Sequence, residues 1–183
     1  MSSATETTTT QPDTKNRGGA ARVLGILLVI AAVIMLVAGG VAWGAVSGQL
    51  KAQNMTVPAD ASSNAGKQVA GPFTAWSMQE IIGKHADNTT DGLSYAELGD
   101  VVNAAKEEFG EDSPEAAAAQ STRNTAQTAS FLRSSLFTSV LAFGVSFLVL
   151  GLGVTTGITG FAVLALSSSK PKKAVAGNGE KLR

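Results

Sequence analysis

Cysteine is absent from the 183 residues, and histidine and tyrosine each occur once. Without cysteine there is no disulfide framework, no thiolate-held zinc or iron–sulfur cluster and no thiol nucleophile. One histidine excludes two-His metal sites within a single chain and leaves any Ser/His/Asp spacing uninterpretable. Charge is scarce as well: 15% of residues are Asp, Glu, Lys or Arg, against roughly 25% in ordinary soluble domains. The 14 basic and 14 acidic residues cancel, so nucleic acid is not an expected partner. No catalytic, metal or cofactor-binding residue is therefore assigned.

What the chain has instead is two long gaps between its charges. Val23 to Leu50 is a charge-free run of 28 residues, and Ser134 to Ser169 is one of 36. About 20 apolar residues in a helix cross the hydrocarbon core of a bilayer, so both runs are long enough. Lys15, Arg17 and Arg22 stand before the first run as a signal-peptide n-region would. The apolar stretch is about twice the 7–15 residues of a signal h-region, however, and an uncleaved anchor is expected.

The basic residues then orient the chain. Lys15, Arg17 and Arg22 precede the first span, and Lys170, Lys172 and Lys173, with Lys181 and Arg183 beyond, follow the second. The intervening Lys51–Arg133 segment holds six basic residues against eleven acids. Segment by segment the net charge is +1, −5 and +4. Both termini are expected in the cytoplasm of a plasma (inner) membrane protein, with the middle outside.

Between the spans the patterning is helical. Ser77-Met-Gln-Glu80 and Ser94-Tyr-Ala-Glu97 both match the capping box, in which a hydroxyl and a carboxylate satisfy free N–H groups at a helix start. After the first come Met78, Ile81, Ile82 and His85, closed by Asn88-Thr-Thr-Asp-Gly92. After the second, Tyr95, Leu98, Val101, Val102, Ala105 and Phe109 form an apolar stripe ending at Gly110. Ser113-Pro114-Glu115 is a third start signal, and no breaker follows until Gly144. One helix is expected from Pro114 into the membrane, with a narrow face of Ala118, Thr122, Ala126 and Ala129. Residues 51–72 show little pattern and are expected to be loop. His85 is expected to cap its helix end or pack on Trp76.

The expected fold class is all-α: a transmembrane helical hairpin with a small extracytoplasmic helical domain inserted between the spans. The boundaries are a disordered tail over 1–20, a first span over 21–49 and a helical domain over 50–133. A second span covers 134–167, continuous with the helix from 114, and a basic tail covers 168–183.

Two further patterns bear on function. Asp87 to Leu98 approximates an EF-hand loop with Gly92 at its sixth position, but position 3 is Thr89 and the glutamate, Glu97, falls at 11 rather than 12. A turn followed by a capping box accounts for it better. Gly40, Gly44 and Gly48 recur every four residues, as do Gly153 and Gly157. Small residues at this spacing let membrane helices approach closely. In an antiparallel hairpin the two sets lie at different depths, which leaves at least one glycine face for another protein. Neither charge-free run carries an ionisable side chain, so transport through this chain alone is not expected.

The stretch from Met78 to His85, followed by Gly92 to Leu98, resembles that of small actinobacterial two-span membrane proteins. These share the hairpin layout, the Thr-rich N-terminus and the basic C-terminus, and often carry the label of an aromatic ring-opening dioxygenase. That label implies an iron site, which this chain cannot build alone. The expected function is a non-catalytic accessory or assembly subunit of a larger envelope or respiratory membrane complex, partnered by other membrane subunits and the lipid bilayer. The alternative is a subunit or binding module of a metal-dependent or calcium-linked enzyme.

Overall fold

The computed structural model describes residues 15–168, with side chains from Gly19 onward. The N-terminal tail, with Lys15 and Arg17 as side chains, and the tail bearing Lys170, Lys172 and Lys173 lie outside the described residues. The described chain is helical: α1 Lys15–Ala52, α2 Pro72–Thr90, α3 Tyr95–Phe109 and α4 Pro114–Ser168. Among the described residues the one β-type pairing is an isolated bridge between Thr56 and Gln68.

α1 and α4 are both long and apolar enough to cross a membrane. Only 17% of the most apolar window of each is buried, which is not how a core helix of a soluble domain is covered. α1 extends back to Lys15, on the polar side of the first apolar run. Helical hydrogen bonding does not require apolar side chains, and Ala20-Ala21-Arg22 is a good helix-forming stretch. α4 runs unbroken for 55 residues from the Ser113 cap, whose Oγ accepts from Ala116 N at 3.2 Å.

The chain divides into two compact units, Met1–Leu36 with Gly151–Arg183, and Val37–Leu150. In the first, burial is inverted relative to a soluble protein. Gly25, Ala32, Gly153 and Gly160 are buried, whereas Ile26, Leu27, Ile30, Ile158 and Phe161 are exposed. Large apolar side chains facing outward around a seam of small ones suit a lipid-facing helix pair.

The second unit has a conventional core of Leu50, Val57, Val69, Ala75, Leu136 and Phe143. Trp43 meets Phe143 edge-on, with ring centroids 4.7 Å apart. Val57 and Val69 come from the segment expected to be unpatterned loop, yet they are among its most buried side chains, at 1% and 0% exposure. They are held by a short backbone ladder, Val57 N to Lys67 O and Val69 N to Met55 O. Period-two patterning over so few residues is too short to register in the sequence.

Ser77 does not start α2. The helix begins five residues earlier at Pro72, where Thr74 Oγ1 accepts from the N–H groups of Ala70 and Gly71. Ser77 is buried in mid-helix, donating to Phe73 O and bonded to Ser63 and Asn64. Pro at the first helical position outcompetes a downstream capping motif, because its φ and missing N–H already suit that place. The second capping box stands as expected: Ser94 Oγ accepts from Glu97 N, and Ser94 N donates to the Glu97 carboxylate at 2.8 Å. α2 ends with Asp91 and Gly92 both left-handed, at φ 52° and 76°. Of the α3 stripe only Leu98 and Val102 are buried, and of the face expected on α4 Ala126 and Ala129 are buried and Thr122 half-buried, while Ala118 is exposed and Ala116 is buried in its place.

Candidate functional site

The helix-packing glycines separate into two kinds. In the first unit a Cβ on Gly153 would lie 3.0 Å from Leu36 and 3.3 Å from the Ala32 carbonyl, and one on Gly157 would lie 3.4 Å from Ala32 Cβ. These two glycines face the chain's own α1. A Cβ at Gly40, Gly44 or Gly48 would meet nothing within 4 Å, and all three are exposed. They form an open face on α1.

The intrachain seam is built mainly from residues the four-residue spacing did not mark. Gly25 faces Gly160, and Ala32 faces Gly153; in the second unit Gly39 faces Ser146. Within the first unit the step of seven from Gly25 to Ala32 along α1 is matched by a step of seven back, from Gly160 to Gly153, along α4. Period seven is that of a coiled coil, and small residues at every seventh place bring the backbones together. The signal is present in the sequence as Gly25, Ala32 and Gly39 with Ser146, Gly153 and Gly160. Abundant glycine and alanine hide it among equally regular alternatives.

Hydroxyls within the apolar part of α4 are satisfied locally. Ser146 donates to Ala142 O at 2.8 Å, Thr155 to Gly151 O and Thr159 to Thr155 O. Such back-bonding lets Ser and Thr sit in a hydrocarbon environment without an unpaired donor.

In the second unit two arginines of α4 use glycines as seats. Arg123 lies over the Tyr95 ring at 4.2 Å, donates from Nε to Tyr95 O at 3.3 Å and packs against the bare backbone of Gly99. The Arg133 guanidinium rests on Gly83, where a Cβ would come within 2.8 Å of it. Neither pairing is local in sequence, so neither was foreseen.

His85 neither caps its helix nor packs on Trp76. Its Nε2 is 2.7 Å from Asp60 Oδ2 in the preceding loop, and Trp76 instead tilts against Phe137 at 6.2 Å. The hydrogen bond to His85 is the main reason the Asp60 carboxyl lies below the ordinary carboxylate range. Asp60, Ser62, Glu80, Ile81 and Lys84 line a small cavity of about 190 Å³ beside this pair. Among the described residues, no three His, Asp or Glu side chains converge as a metal ion would need. Glu97, the bidentate candidate of the EF-hand-like loop, is committed to the backbone of Ser94.

Comparison with protein families, curated proteins and solved structures finds no match. The class defined here is accordingly that of an all-helical protein with two helices able to cross a membrane.

Proposed function

We propose that this chain is a non-catalytic, two-span membrane protein that acts as an accessory or assembly subunit of a larger membrane complex. Both termini lie in the cytoplasm and the segment between the spans lies outside, as the +1, −5 and +4 charge distribution favours. The resemblance to two-span actinobacterial proteins fits this layout. The observation that carries the reading is the division of the glycines. The close contacts at Gly25, Gly153 and Gly160 in the first unit, and at Gly39 in the second, are made within the chain itself, leaving Gly40, Gly44 and Gly48 open for a second helix. A calcium-linked module is less well supported, because Glu97 is already engaged as a helix cap.

Purification from the native membrane in mild detergent tests this. A Gly44→Ile variant is expected to elute as a smaller species than the unaltered chain, with its own fold intact. Unchanged complex size would remove the role assigned to this face. Because the chain has no cysteine, single substitutions report topology cleanly. Asp112→Cys should react with an impermeant maleimide on intact cells, and Ser2→Cys only after permeabilisation.

A further inference from the structure

The charge-free runs of α1 and α4 end at matching levels within the second unit. Leu50 and Leu136 share its core, and the first charged residues beyond them are Lys51 and Arg133. At this level α2 also begins, since Trp76 touches Phe137. Trp76 is itself 47% exposed, and Phe73, one turn earlier in α2, is 79% exposed. An exposed tryptophan at the end of an apolar span is the pattern of a membrane–water interface.

Arg133 differs from the neighbouring cation in one respect. Arg123 is bonded to Tyr95, whereas Arg133 has no hydrogen-bond or ion-pair partner among the described residues. Its guanidinium is nevertheless held in place, on Gly83 of α2. Gly83 is seven residues past Trp76, about 10 Å of helical rise farther from the apolar run. That separation suits a phosphate above rings set at the edge of the hydrocarbon. Gln79, Ser130, Arg133, Ser134 and Phe137 line a shallow groove of about 280 Å³ between α2 and α4. Ser130, Arg133, Ser134 and Phe137 fall on one helical face, so polar donors sit at one end and an aromatic ring at the other.

We propose that this groove is a headgroup site for an anionic phospholipid. Arg133 binds the phosphodiester through its planar fork, the hydroxyls of Ser130 and Ser134 and the Gln79 amide supply further donors, and the upper acyl chain lies against Phe137 and Trp76. A forked, always-charged donor with no protein acceptor is complementary to a phosphate, and the continuity of the groove with the apolar run selects a lipid as its source. The site rests on the membrane reading above.

Quenching of Trp76 tests both separately. In a Trp43→Phe background Trp76 is the sole tryptophan, and lipids brominated near the headgroup quench it only on contact. The full-length chain is reconstituted in brominated phosphatidylglycerol or brominated phosphatidylcholine. Phosphatidylglycerol is expected to bind about fivefold more tightly, the effect of one basic residue at the surface. Arg133→Gln should remove that preference, Arg133→Lys should keep part of it, and Lys106→Gln should leave it whole. Equal quenching by both lipids, or a preference that survives Arg133→Gln, overturns the headgroup site while leaving the membrane reading intact. No quenching by either lipid overturns the membrane placement itself. Mass spectrometry of the intact protein with added phosphatidylglycerol gives a second readout: the unaltered chain should carry a lipid adduct that Arg133→Gln loses, and equal adducts overturn the site.

Discussion

Gly25 and Gly160 face each other so closely that a methyl group on either would meet the other's carbonyl oxygen, at 3.2 and 3.1 Å. Backbone has no rotamer to yield, so a side chain here must push the helices apart. Gly160→Leu is expected to cost about 1–3 kcal/mol, read as a lowered Tm in detergent. Gly40→Leu, on the open face, should leave the Tm of the isolated chain nearly unchanged. Equal losses at the two positions would contradict the assignment of the seam.

Ser77 and Ser94 offer a contrast between two serines that look alike in sequence. Ser94→Ala removes a helix cap and should cost about 1 kcal/mol, with faster amide exchange confined to the first turn of α3. Ser77→Ala leaves Ser63 and Asn64 without a buried partner and should cost about 1–3 kcal/mol. Its faster exchange should appear in residues 55–69, not at the start of α2. Exchange confined to the first turn of α2 would restore Ser77 as a cap.

Arg123 fastens α3 to α4 through the Tyr95 ring and carbonyl. Arg123→Gln should loosen α3 by about 1–2 kcal/mol, the sum of a cation–π contact and a charged hydrogen bond at a half-exposed site. The expected signature is several-fold faster amide exchange in α3, with the α1–α4 seam unaffected. Uniform acceleration throughout the protein would show that α3 does not open independently.

Acid sensitivity follows from Asp60 and Glu97. His85 holds the Asp60 carboxyl below its ordinary range, and Ser94, by its side chain first and its backbone second, does the same for Glu97. A depressed folded-state value adds stability above the unfolded-state value, and that stability is lost as pH falls through the folded one. The unaltered protein should therefore weaken as pH falls from about 5 to about 3, and Asp60→Asn should weaken less steeply. Both carboxylates are exposed, so the change is small and is best read from denaturation midpoints across that interval. Parallel slopes for the two proteins would remove Asp60 from the account.

Much of the helical layout was legible because its causes are local. The length of the charge-free runs, the caps at Ser94 and Ser113, the stop at Asp91-Gly92 and the unbroken course of α4 each depend on residues within a few positions of one another. The start of α2 was missed because two local signals competed, and the proline at Pro72 prevailed over the Ser77 motif. Val57 and Val69 escaped notice because a ladder of three backbone hydrogen bonds has no periodicity long enough to read.

The candidate site divides along the same line. Sequence alone marked Gly40, Gly44, Gly48, Gly153 and Gly157 as packing candidates by their four-residue spacing, in runs that hold no ionisable group. Which glycines face inward was decided by the tertiary structure. Gly39 and Gly40 are neighbours in sequence, about 100° apart around α1, yet a Cβ at Gly39 would meet Leu150 and the Ser146 carbonyl while one at Gly40 would meet nothing. Nothing in the sequence ranks one of these neighbours above the other, and only the opposing surface of α4, with Leu150 and the Ser146 carbonyl, distinguishes them. The pairing of His85 with Asp60 and the seat of Arg133 on Gly83 have the same origin, because each joins elements whose separation in sequence carries no information about their separation in space.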